Sequence, residues 1–571
     1  MATLNSATVK TPSWRRSSGN DGSSQGRLFD LVAIFLSSMA VFVALILWFD
    51  NAQGITSNGV FKAVTIKSWV ADPANASLDT SNYLYYPVMA LLCRLLDGIG
   101  IFPGDPRHQL TVINAFSAAI CLCIVYLLVR QITGRRSVAW AAVTFHLAGA
   151  FFLNLAIINE DIMPSYTMMF ASMALASIWF AHPTWRRVAL VAALFTIAWM
   201  FEWRLMFPAL PAMVLALAVS PGRPLARLGR VTLFLGTMVA LAQIAVWLWG
   251  PQNGNPGPVT SLLWTGKGTA EGWAGFSAVK VELLWAGIAQ YLVGGANIAD
   301  PASLQPILRE VMATTLCIVV IAVLSILILW RDRGSPGVRV LAIIFGVTFA
   351  VGEVMNLYSQ PQDPQMQINV MVWLTIGWAL ILAVAVRWRP LAIMSGAIAL
   401  ALGLFAYNVS KLMPMQGADA VWRGALQRIE RDVDPTRTVF MLHGFEQEVS
   451  EMFYAWGGDW TYFDKLGPAP TSKPKFKFLA LVNGPIHKPN ATGEELASDL
   501  KRQIERAMAL GYEVVANGIW GWSEAQTEAS LASVADKDKA KWLYRALHEN
   551  FTATPAFTDP TAGPYFRLQQ R

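Results

Sequence analysis

The chain has 571 residues, of which 54% are hydrophobic and 14% charged, and its mean hydropathy is +0.42. These values exclude an ordinary soluble domain, since many apolar runs reach the ~20 residues that cross a bilayer. The formal net charge of +7 does not require nucleic acid as a partner, because Arg collects in the cytoplasmic loops of membrane proteins. We therefore expect a polytopic α-helical membrane protein.

The chain begins with a polar tail. Residues 1–30 are rich in Ser and Gly and carry several basic side chains, which indicates a disordered cytoplasmic segment. Leu31–Phe49 is the first predicted span, and it ends at Asp50. Residues 50–108 then form a long polar loop before the next span.

This first loop contains two apolar segments. In Gly59–Val70, Lys62 and Lys67 alternate with apolar residues, as in a short helix lying on the membrane surface. Tyr83–Ile101 is apolar enough to be a span, but counting it as one inverts every later loop. We interpret it as an interfacial hairpin.

Ten further spans are predicted after the loop. They are Leu110–Val129, Val138–Ala156, Ser165–Phe180, Val188–Phe201, Leu205–Ala218, Val231–Trp249, Ile307–Trp330, Val340–Leu357, Ile368–Val386 and Leu391–Ser410. Pro208 and Pro211 interrupt the fifth of these, and a broken helix at membrane depth often lines a cavity.

The positions of Arg set the orientation. With about eleven spans in all, each loop on one side carries two or three Arg, while the acids collect on the other side. Because Lys and Arg are retained on the cytoplasmic side, we expect the N-terminus inside and the C-terminus outside. The plasma (inner) membrane is the expected location.

The composition changes near Pro414. Thr438–Leu442, Phe476–Asn483 and Tyr512–Ala516 read as strands, and Glu494–Leu510 and Lys537–Asn550 read as helices. The predicted domains are therefore a tail at residues 1–30, a membrane domain at residues 31–412 and a small extracytoplasmic α/β domain at residues 413–571.

Glu160 and Asp161 lie between two apolar segments, where carboxylates are rare. Burying a carboxylate in hydrocarbon costs at least ~2.5–3.5 kcal/mol, so such acids are functional by default. The Arg pattern places this pair at the outer surface, where the cost is smaller, and a polar loop in contact with water remains the alternative. For Asp50 the alternative is a polar stop at the end of a helix.

The order of these features resembles a known architecture. A first span ends at Asp50, an aromatic-proline segment (Tyr85-Tyr86-Pro87) follows in the outer loop, a basic turn occupies Gln131–Arg136, and a later span ends at Asn159–Pro164. This resembles the GT-C membrane glycosyltransferases, in the branch with the protein O-mannosyltransferases and the aminoarabinose transferase. Asn51 stands where that family usually has a second acid, so no metal role is carried over to this loop.

The resemblance implies a GT-C-like membrane domain that uses a polyprenyl-phosphate sugar donor on the outer face. Asp50 would be the general base, and Asp161 with Glu160 would position the acceptor or hold a cation. No cofactor is certain, a divalent cation stays open, and the identity of any metal is unknown. Tyr86 matches the aromatic-proline segment and joins the substrate-binding candidates.

The donor phosphate needs a basic partner. Arg204 lies at the break in the short helix pair, where the family carries a basic residue, and Arg can grip phosphate with two hydrogen bonds. A salt bridge with Glu202, or a side chain reaching the interface, is the alternative for Arg204. Lys62 and Lys67 are further candidates, with a solvated helix face as their alternative.

The stretch Asn356–Gln367 is rich in amide side chains. Gln360, Gln362 and Asp363 in this stretch are suited to the hydroxyls of a sugar, and a plain outer turn is the alternative.

The sequence therefore predicts a glycosyltransferase that moves a sugar, with inversion, from the lipid-linked donor to an extracytoplasmic glycolipid, polysaccharide or protein. A transporter or lipid flippase is the main rival, and a non-catalytic membrane scaffold is a third interpretation. A transporter would favour internal repeats and acids at the bilayer midplane, whereas the acids here collect on one face. Neither the sugar nor the acceptor can be named from the residues.

Overall fold

The structure is a computed structural model in which two compact units can be described. The described residues are 24–52, 58–73, 84–249, 278–295, 304–358, 367–442, 447–456, 458–459, 466–470, 476–480, 492–531 and 537–571. The helical unit comprises the described residues up to Trp48, together with Trp69–Pro103 and His108–Pro414. The C-terminal unit comprises Phe49–Ser68, Gly104–Arg107 and Met415–Arg571.

Helices dominate the chain before Pro414. In chain order they are α1 (Ser24–Phe49), α2 (Asn58–Ala71), α3 (Tyr85–Gly98), α4 (Pro106–Thr133), α5 (Arg136–Ala148), α6 (Ala150–Ile157), α7 (Ile162–Trp179), α8 (Trp185–Phe201), α9 (Trp203–Met206), α10 (Ala209–Ala218), α11 (Pro224–Trp249), α12 (Ala278–Leu292), α13 (Leu308–Arg331), α14 (Pro336–Tyr358), α15 (Ile368–Ala385) and α16 (Pro390–Leu412).

Eight of the described helices are long and apolar enough to cross a membrane, or nine if α5 and α6 together form one bent span. The protein is an integral membrane protein. All eleven predicted spans are helical, but the count of eleven is not confirmed. The difference lies in α8, which has 17 residues, and in the pair α9 and α10, with 4 and 10 residues. Each of these helices is shorter than the ~20 residues of a full span.

The predicted span Val138–Ala156 is not one straight helix. It bends by 71° between α5 and α6. Gly149 lies at the bend with an extended backbone, and a Cβ atom there would lie 2.9 Å from the sulfur of Met371. A side chain at this position would require the flexible end of Met371 to move.

Tyr83–Ile101 was predicted as an interfacial hairpin, and the described residues instead form one helix, α3. Its 14 residues carry an exposed apolar side chain at Leu91 and Leu95 and buried side chains at Tyr85, Met89 and Cys93. The spacing of three or four between buried positions is that of a one-sided helix. The segment is helical but does not qualify as a span.

The C-terminal unit is an α/β structure. Its helices are α17 (Ala418–Asp432), α18 (Gln447–Trp456), α19 (Gly493–Ala509), α20 (Glu524–Leu531) and α21 (Lys537–Asn550). Its strands are β1 (Thr438–Leu442), β2 (Gly458–Asp459), β3 (Phe476–Ala480), β4 (Glu513–Ala516), β5 (Phe551–Asp559) and β6 (Gly563–Gln570). The predicted strands and helices are all present within one or two residues, except that the described part of the second strand ends at Ala480. The hairpin of β5 and β6 was not predicted.

The six strands form one sheet in the order β2-β3-β1-β4-β6-β5. β1 pairs in parallel with β3 and with β4, whereas β6 is antiparallel to both β4 and β5. Alternate residues of β1 enter two separate hydrophobic clusters: Val439 and Met441 pack with α19 and α21, and Phe440 and Leu442 pack with α17 and α18. Helices on both faces explain why every β1 residue is buried.

Candidate functional site

Glu160 and Asp161 are buried in the helical unit. Their exposed fractions are 1% and 4%, and the neighbouring Asn159 is fully buried. α6 ends as Ile158 turns to an extended backbone, and α7 begins immediately after Asp161. The loop is therefore not the water-exposed connection that the sequence left open, and its two acids lie inside the protein.

Asn114 on α4 holds this acidic loop. Its side-chain Nδ2 donates hydrogen bonds to the backbone oxygens of Ile158, at 2.7 Å, and Glu160, at 2.6 Å. Within the loop, the Asp161 backbone N–H donates to Oε2 of Glu160 at 3.2 Å. Asn114 is fully buried, so both of its bonds are shielded from water.

The aromatic-proline segment lies in the same unit, close to the acids. Burial raises the pKa of the Tyr85 hydroxyl well above its ordinary value, and the charges of Asp161 and Glu160 raise that pKa further. The Tyr85 ring meets the Tyr86 ring edge-on, with 5.5 Å between the centroids, and Tyr86 is 5% exposed. The Leu84 backbone N–H donates to the Met200 carbonyl oxygen at 2.9 Å, which fixes the start of α3 against the end of α8.

A third buried acid, Glu202, follows α8 and is 1% exposed. The next residues form α9, which contains Arg204; its helix is described, but its side chain lies outside the described part of the structure. Gln360, Gln362 and Asp363 also lie outside the described residues. The helical unit thus brings together Glu160, Asp161 and the aromatic pair.

Asp50 belongs to the C-terminal unit. Its backbone is left-handed, with φ of 42°, which is uncommon for a residue other than glycine. Lys62 and Lys67 lie on α2 in the same unit, Lys62 half-buried and Lys67 exposed. The Lys67 Nζ atom lies 5.2 Å from the centre of the Tyr454 ring, so its charge faces an aromatic side chain of this unit.

Asn51 has a structural partner where the family has a second acid. Its side-chain Nδ2 donates to the Met415 carbonyl oxygen at 3.0 Å. In the described part of the chain, no group of three or more His, Cys, Asp or Glu is arranged to hold a metal ion. The carboxylates of Glu160 and Asp161 are suited to accepting hydrogen bonds from a hydroxyl or an amine, or to binding a cation.

Sequence reasoning missed two residues that form hydrogen bonds with the backbone beside the candidates, Asn114 and Asp419. For Asn114 a signal existed, since an amide inside an apolar span needs a partner in the membrane. Asp419, which accepts a hydrogen bond from the Ala52 backbone N–H, lies in an ordinary polar stretch of the sequence and carried no signal.

The order of the helices and the C-terminal α/β unit define a polytopic membrane fold that solved structures share. The chain is similar to two crystal structures of ArnT from Cupriavidus metallidurans, one bound to undecaprenyl phosphate and one in the apo state. The bound structure has 12% sequence identity and a TM-score of 0.54, and the match covers 96% of this chain and 98% of that one. The apo structure has 12% identity and a TM-score of 0.53, with 95% and 98% covered.

No protein-family model matches the sequence, and no curated protein sequence matches it. The likeness to ArnT is therefore one of fold, and it confirms the resemblance to GT-C membrane glycosyltransferases at that level.

Proposed function

We propose that the protein is a glycosyltransferase that moves a sugar from a polyprenyl-phosphate donor to an extracytoplasmic acceptor, with inversion. The observation that carries this proposal is the buried Glu160-Asp161 pair beside Tyr85, within a fold that ArnT shares and in which ArnT binds undecaprenyl phosphate. A buried acid pair that a dedicated side chain, Asn114, holds in place is suited to orienting a polar substrate.

The proposed reaction is a single displacement. The acceptor oxygen bonds to the anomeric carbon while the bond from that carbon to the phosphate oxygen breaks, and polyprenyl phosphate leaves. Asp50 accepts the acceptor proton as general base. Asp161 and Glu160 would orient the acceptor, or would hold a cation whose charge would offset that of the leaving phosphate.

Basic residues would stabilise the phosphate, and Arg204 is the first candidate because a guanidinium matches phosphate oxygens in pairs. Lys62 and Lys67 are secondary candidates on α2. Tyr86, Gln360, Gln362 and Asp363 would contact the sugar or the donor headgroup. The acceptor is a glycolipid, a polysaccharide or a protein.

We also propose the orientation and the domain assignment. Residues 1–30 form a cytoplasmic tail, residues 31–412 the catalytic membrane domain, and residues 413–571 an extracytoplasmic domain. The support is the Arg pattern of the loops, which is the strongest orientation signal in a polytopic chain. The plasma (inner) membrane is the proposed location.

The test begins with a strain that lacks the protein. Its lipid extract is compared by mass spectrometry with the wild type to identify the donor that accumulates and the glycan that is lost. Asp50→Asn and Asp161→Asn should each fail to restore that glycan, because neither amide can accept a proton or balance a cation. Asp72→Asn changes an exposed acid of the first loop and should restore it fully.

Membrane levels of each variant are measured to show that insertion is unchanged. Full restoration by both Asp50→Asn and Asp161→Asn would overturn the proposal. Passage of the accumulated donor across proteoliposomes containing the wild type, with no sugar transferred, would favour a flippase instead.

A further inference from the structure

The segment Phe49–Ala52, called here the Asp50 segment, has a strained backbone at its second residue. Asp50 adopts φ of 42°, a region that a side chain with a Cβ atom disfavours. Such a conformation persists only where surrounding contacts determine it, and such residues cluster at functional sites. The neighbours that determine it can be identified in the C-terminal unit.

Three hydrogen bonds tie the Asp50 segment to Met415–Asp419. The Gly417 backbone N–H donates to the Phe49 carbonyl oxygen at 2.9 Å, just before Asp50. The Asn51 side chain donates to the Met415 carbonyl oxygen at 3.0 Å, and the Ala52 backbone N–H donates to Oδ2 of Asp419 at 3.0 Å. Both residues that flank Asp50 are therefore fixed, and so is the residue beyond.

Asp419 is itself held by a buried charge cluster. Its Oδ2 lies 3.6 Å from Nη2 of Arg107, and Nη1 of Arg107 donates to both carboxylate oxygens of Glu451, at 2.8 and 3.0 Å. Exposed fractions are 2% for Arg107, 0% for Asp419 and 1% for Glu451. Buried ion pairs are weak evidence for stability, but in some proteins they fix one arrangement over others.

The guanidinium of Arg107 is fixed from a second side. Its central carbon lies 4.8 Å from the centre of the Tyr454 ring, and the Tyr454 hydroxyl donates to a carboxylate oxygen of Asp105. Burial raises the pKa of Tyr454, and the negative charge of Asp105 raises it further, so this hydroxyl keeps its proton and remains a donor. Arg107 therefore presents its charge to Asp419 in one orientation.

We propose that Asp419, oriented by Arg107, is a positioning residue for Asp50. It fixes the Ala52 amide and so holds Asp50 in the left-handed backbone that directs its carboxylate. The proposal rests on the function proposed above, in which Asp50 is the general base. In this proposal the C-terminal unit contributes to the reaction by fixing the direction of the Asp50 carboxylate.

The experiment measures backbone order and activity separately in the full-length protein. Hydrogen exchange followed by mass spectrometry reports the amides of the Asp50 segment. Activity is followed with the lipid-linked sugar isolated from the strain that lacks the protein, so that kcat and KM for the donor are obtained. The variants are Asp419→Ala, which removes the acceptor, and Asp419→Asn, which keeps an oxygen for the Ala52 N–H but loses the charge facing Arg107.

Asp559→Ala is the matched control. Asp559 is also buried in the C-terminal unit and also paired with an Arg, since it accepts from Nε of Arg428 at 2.6 Å. Arg428 and Asp559 contribute none of the three hydrogen bonds described above between the Asp50 segment and Met415–Asp419. Any general loosening of the unit should therefore show in this variant too.

In Asp419→Ala we expect exchange of the Asp50 segment to rise at least about 10-fold and kcat to fall about 100-fold, since a displacement near 1 Å has that cost. KM of Asp419→Ala for the donor should stay within about 3-fold of the wild-type value. Asp419→Asn should have exchange rates and a kcat between those of Asp419→Ala and the wild type. Asp559→Ala should change neither the exchange of the Asp50 segment nor kcat. Unchanged exchange in Asp419→Ala would overturn the positioning role, and so would equal effects in Asp559→Ala.

Faster exchange in Asp419→Ala with an unchanged kcat would also overturn the positioning role of Asp419. The activity of Asp50→Asn then shows whether the general-base role of Asp50 has failed as well. If Asp50→Asn is inactive in that case, Asp50 is the base and only its positioning by Asp419 is wrong. If Asp50→Asn is active as well, the proposed function of Asp50 has failed.

Discussion

At the scale of single residues, the acidic loop depends on one amide. Glu160 and Asp161 are buried, and their loop lies between two helices without a regular hydrogen-bonding ladder of its own. Buried backbone oxygens need donors, and Asn114 supplies two of them from a neighbouring helix. The site therefore combines costly buried acids with a side chain whose role is to hold their backbone.

Replacing that amide should loosen the loop. Asn114→Leu fills a similar volume but removes both donors, so we expect a loss of roughly 2 to 4 kcal/mol in the free energy of unfolding. Activity should fall along with it. Thermal unfolding in detergent gives the stability, and Ser117→Ala is the control because the Ser117 hydroxyl bonds only to Ile113 of its own helix. Equal stability of Asn114→Leu and Ser117→Ala would contradict this account.

A second residue-scale prediction concerns acid. Burial raises the pKa of Asp559, but hydrogen bonds from Arg428 and from the N–H groups of Ala562 and Thr561 outweigh it and hold that pKa below the ordinary value. A depressed carboxyl pKa in the folded state stabilises the fold above the unfolded pKa of about 4, and this contribution is lost as pH falls through the folded pKa.

Hydrogen exchange of the β5–β6 turn, corrected for intrinsic rates, measures this effect. Asp559→Asn should speed exchange of the turn at pH 7, and the difference from the wild type should shrink below about pH 4. Glu549→Gln changes an exposed acid on α21 and should behave as the wild type throughout. A difference that persists unchanged into acid would show that the charge of Asp559 is not involved.

At the scale of elements, the 71° bend between α5 and α6 is stabilised by α16. Asn408 on that helix donates from Nδ2 to the carbonyl oxygens of Ala148, at 2.6 Å, and Leu292, at 3.0 Å. Its Oδ1 accepts from the Gly294 N–H at 2.9 Å. One buried amide therefore partners backbone groups where α5 and α12 both end, and a helix end in a membrane needs such partners.

Asn408→Leu should therefore destabilise the helical unit by roughly 2 to 4 kcal/mol, since it leaves buried backbone groups without their partner. Ser410→Ala is the control on the same helix, because the Ser410 hydroxyl donates only to the Tyr407 carbonyl oxygen of that helix. The measurement is the unfolding midpoint of each full-length variant in detergent. A smaller shift for Asn408→Leu than for Ser410→Ala would be the contrary result.

The elements show what the sequence could predict. Each of the eleven predicted spans falls on helix, because the bilayer requires that backbone groups be satisfied within each helix, but α12 was not predicted. The bend at Gly149 was missed because the side chains that contact it, Met371 and Asn408, lie more than two hundred positions later in the chain. α3 was mistaken for a hairpin because the Arg pattern of the later loops argued against a span but carried no information on whether the segment is one continuous helix.

For the candidate site, the sequence predicted the acidic residues but not their burial or their partners. Glu160 and Asp161 stand out as acids between apolar runs, and the sequence singled them out. Their burial could not be predicted, since the Arg pattern gives the side of the membrane but not the packing of a loop. Asn114 and Asp419 lie far away in the sequence from the backbone groups that they bond. Only folding brings Asn114 to the Glu160 loop and Asp419 to Ala52.

At the scale of the whole molecule, the C-terminal unit is assembled from separate parts of the sequence. Phe49–Ser68 and Gly104–Arg107 join Met415–Arg571 in that unit. Val64 of α2 packs against the cluster that contains Ile429 and Phe440. The change of composition near Pro414 indicates where a polar region begins. It does not reveal that two earlier segments of the chain fold into the same unit.

The hydrogen bonds of the Asp50 segment have a consequence for biosynthesis. The Asn51 and Ala52 bonds join residues 364 and 367 positions apart. At about 5–20 residues per second, a ribosome needs roughly 20 to 70 s to reach Met415 after Asp50 has been made. Until then the Asp50 segment cannot form these hydrogen bonds with Met415–Asp419. In a nascent chain that stalls within the membrane domain, the backbone of Asp50 is therefore not fixed by them. The order of synthesis thus delays the arrangement around Asp50 until nearly three-quarters of the chain exists.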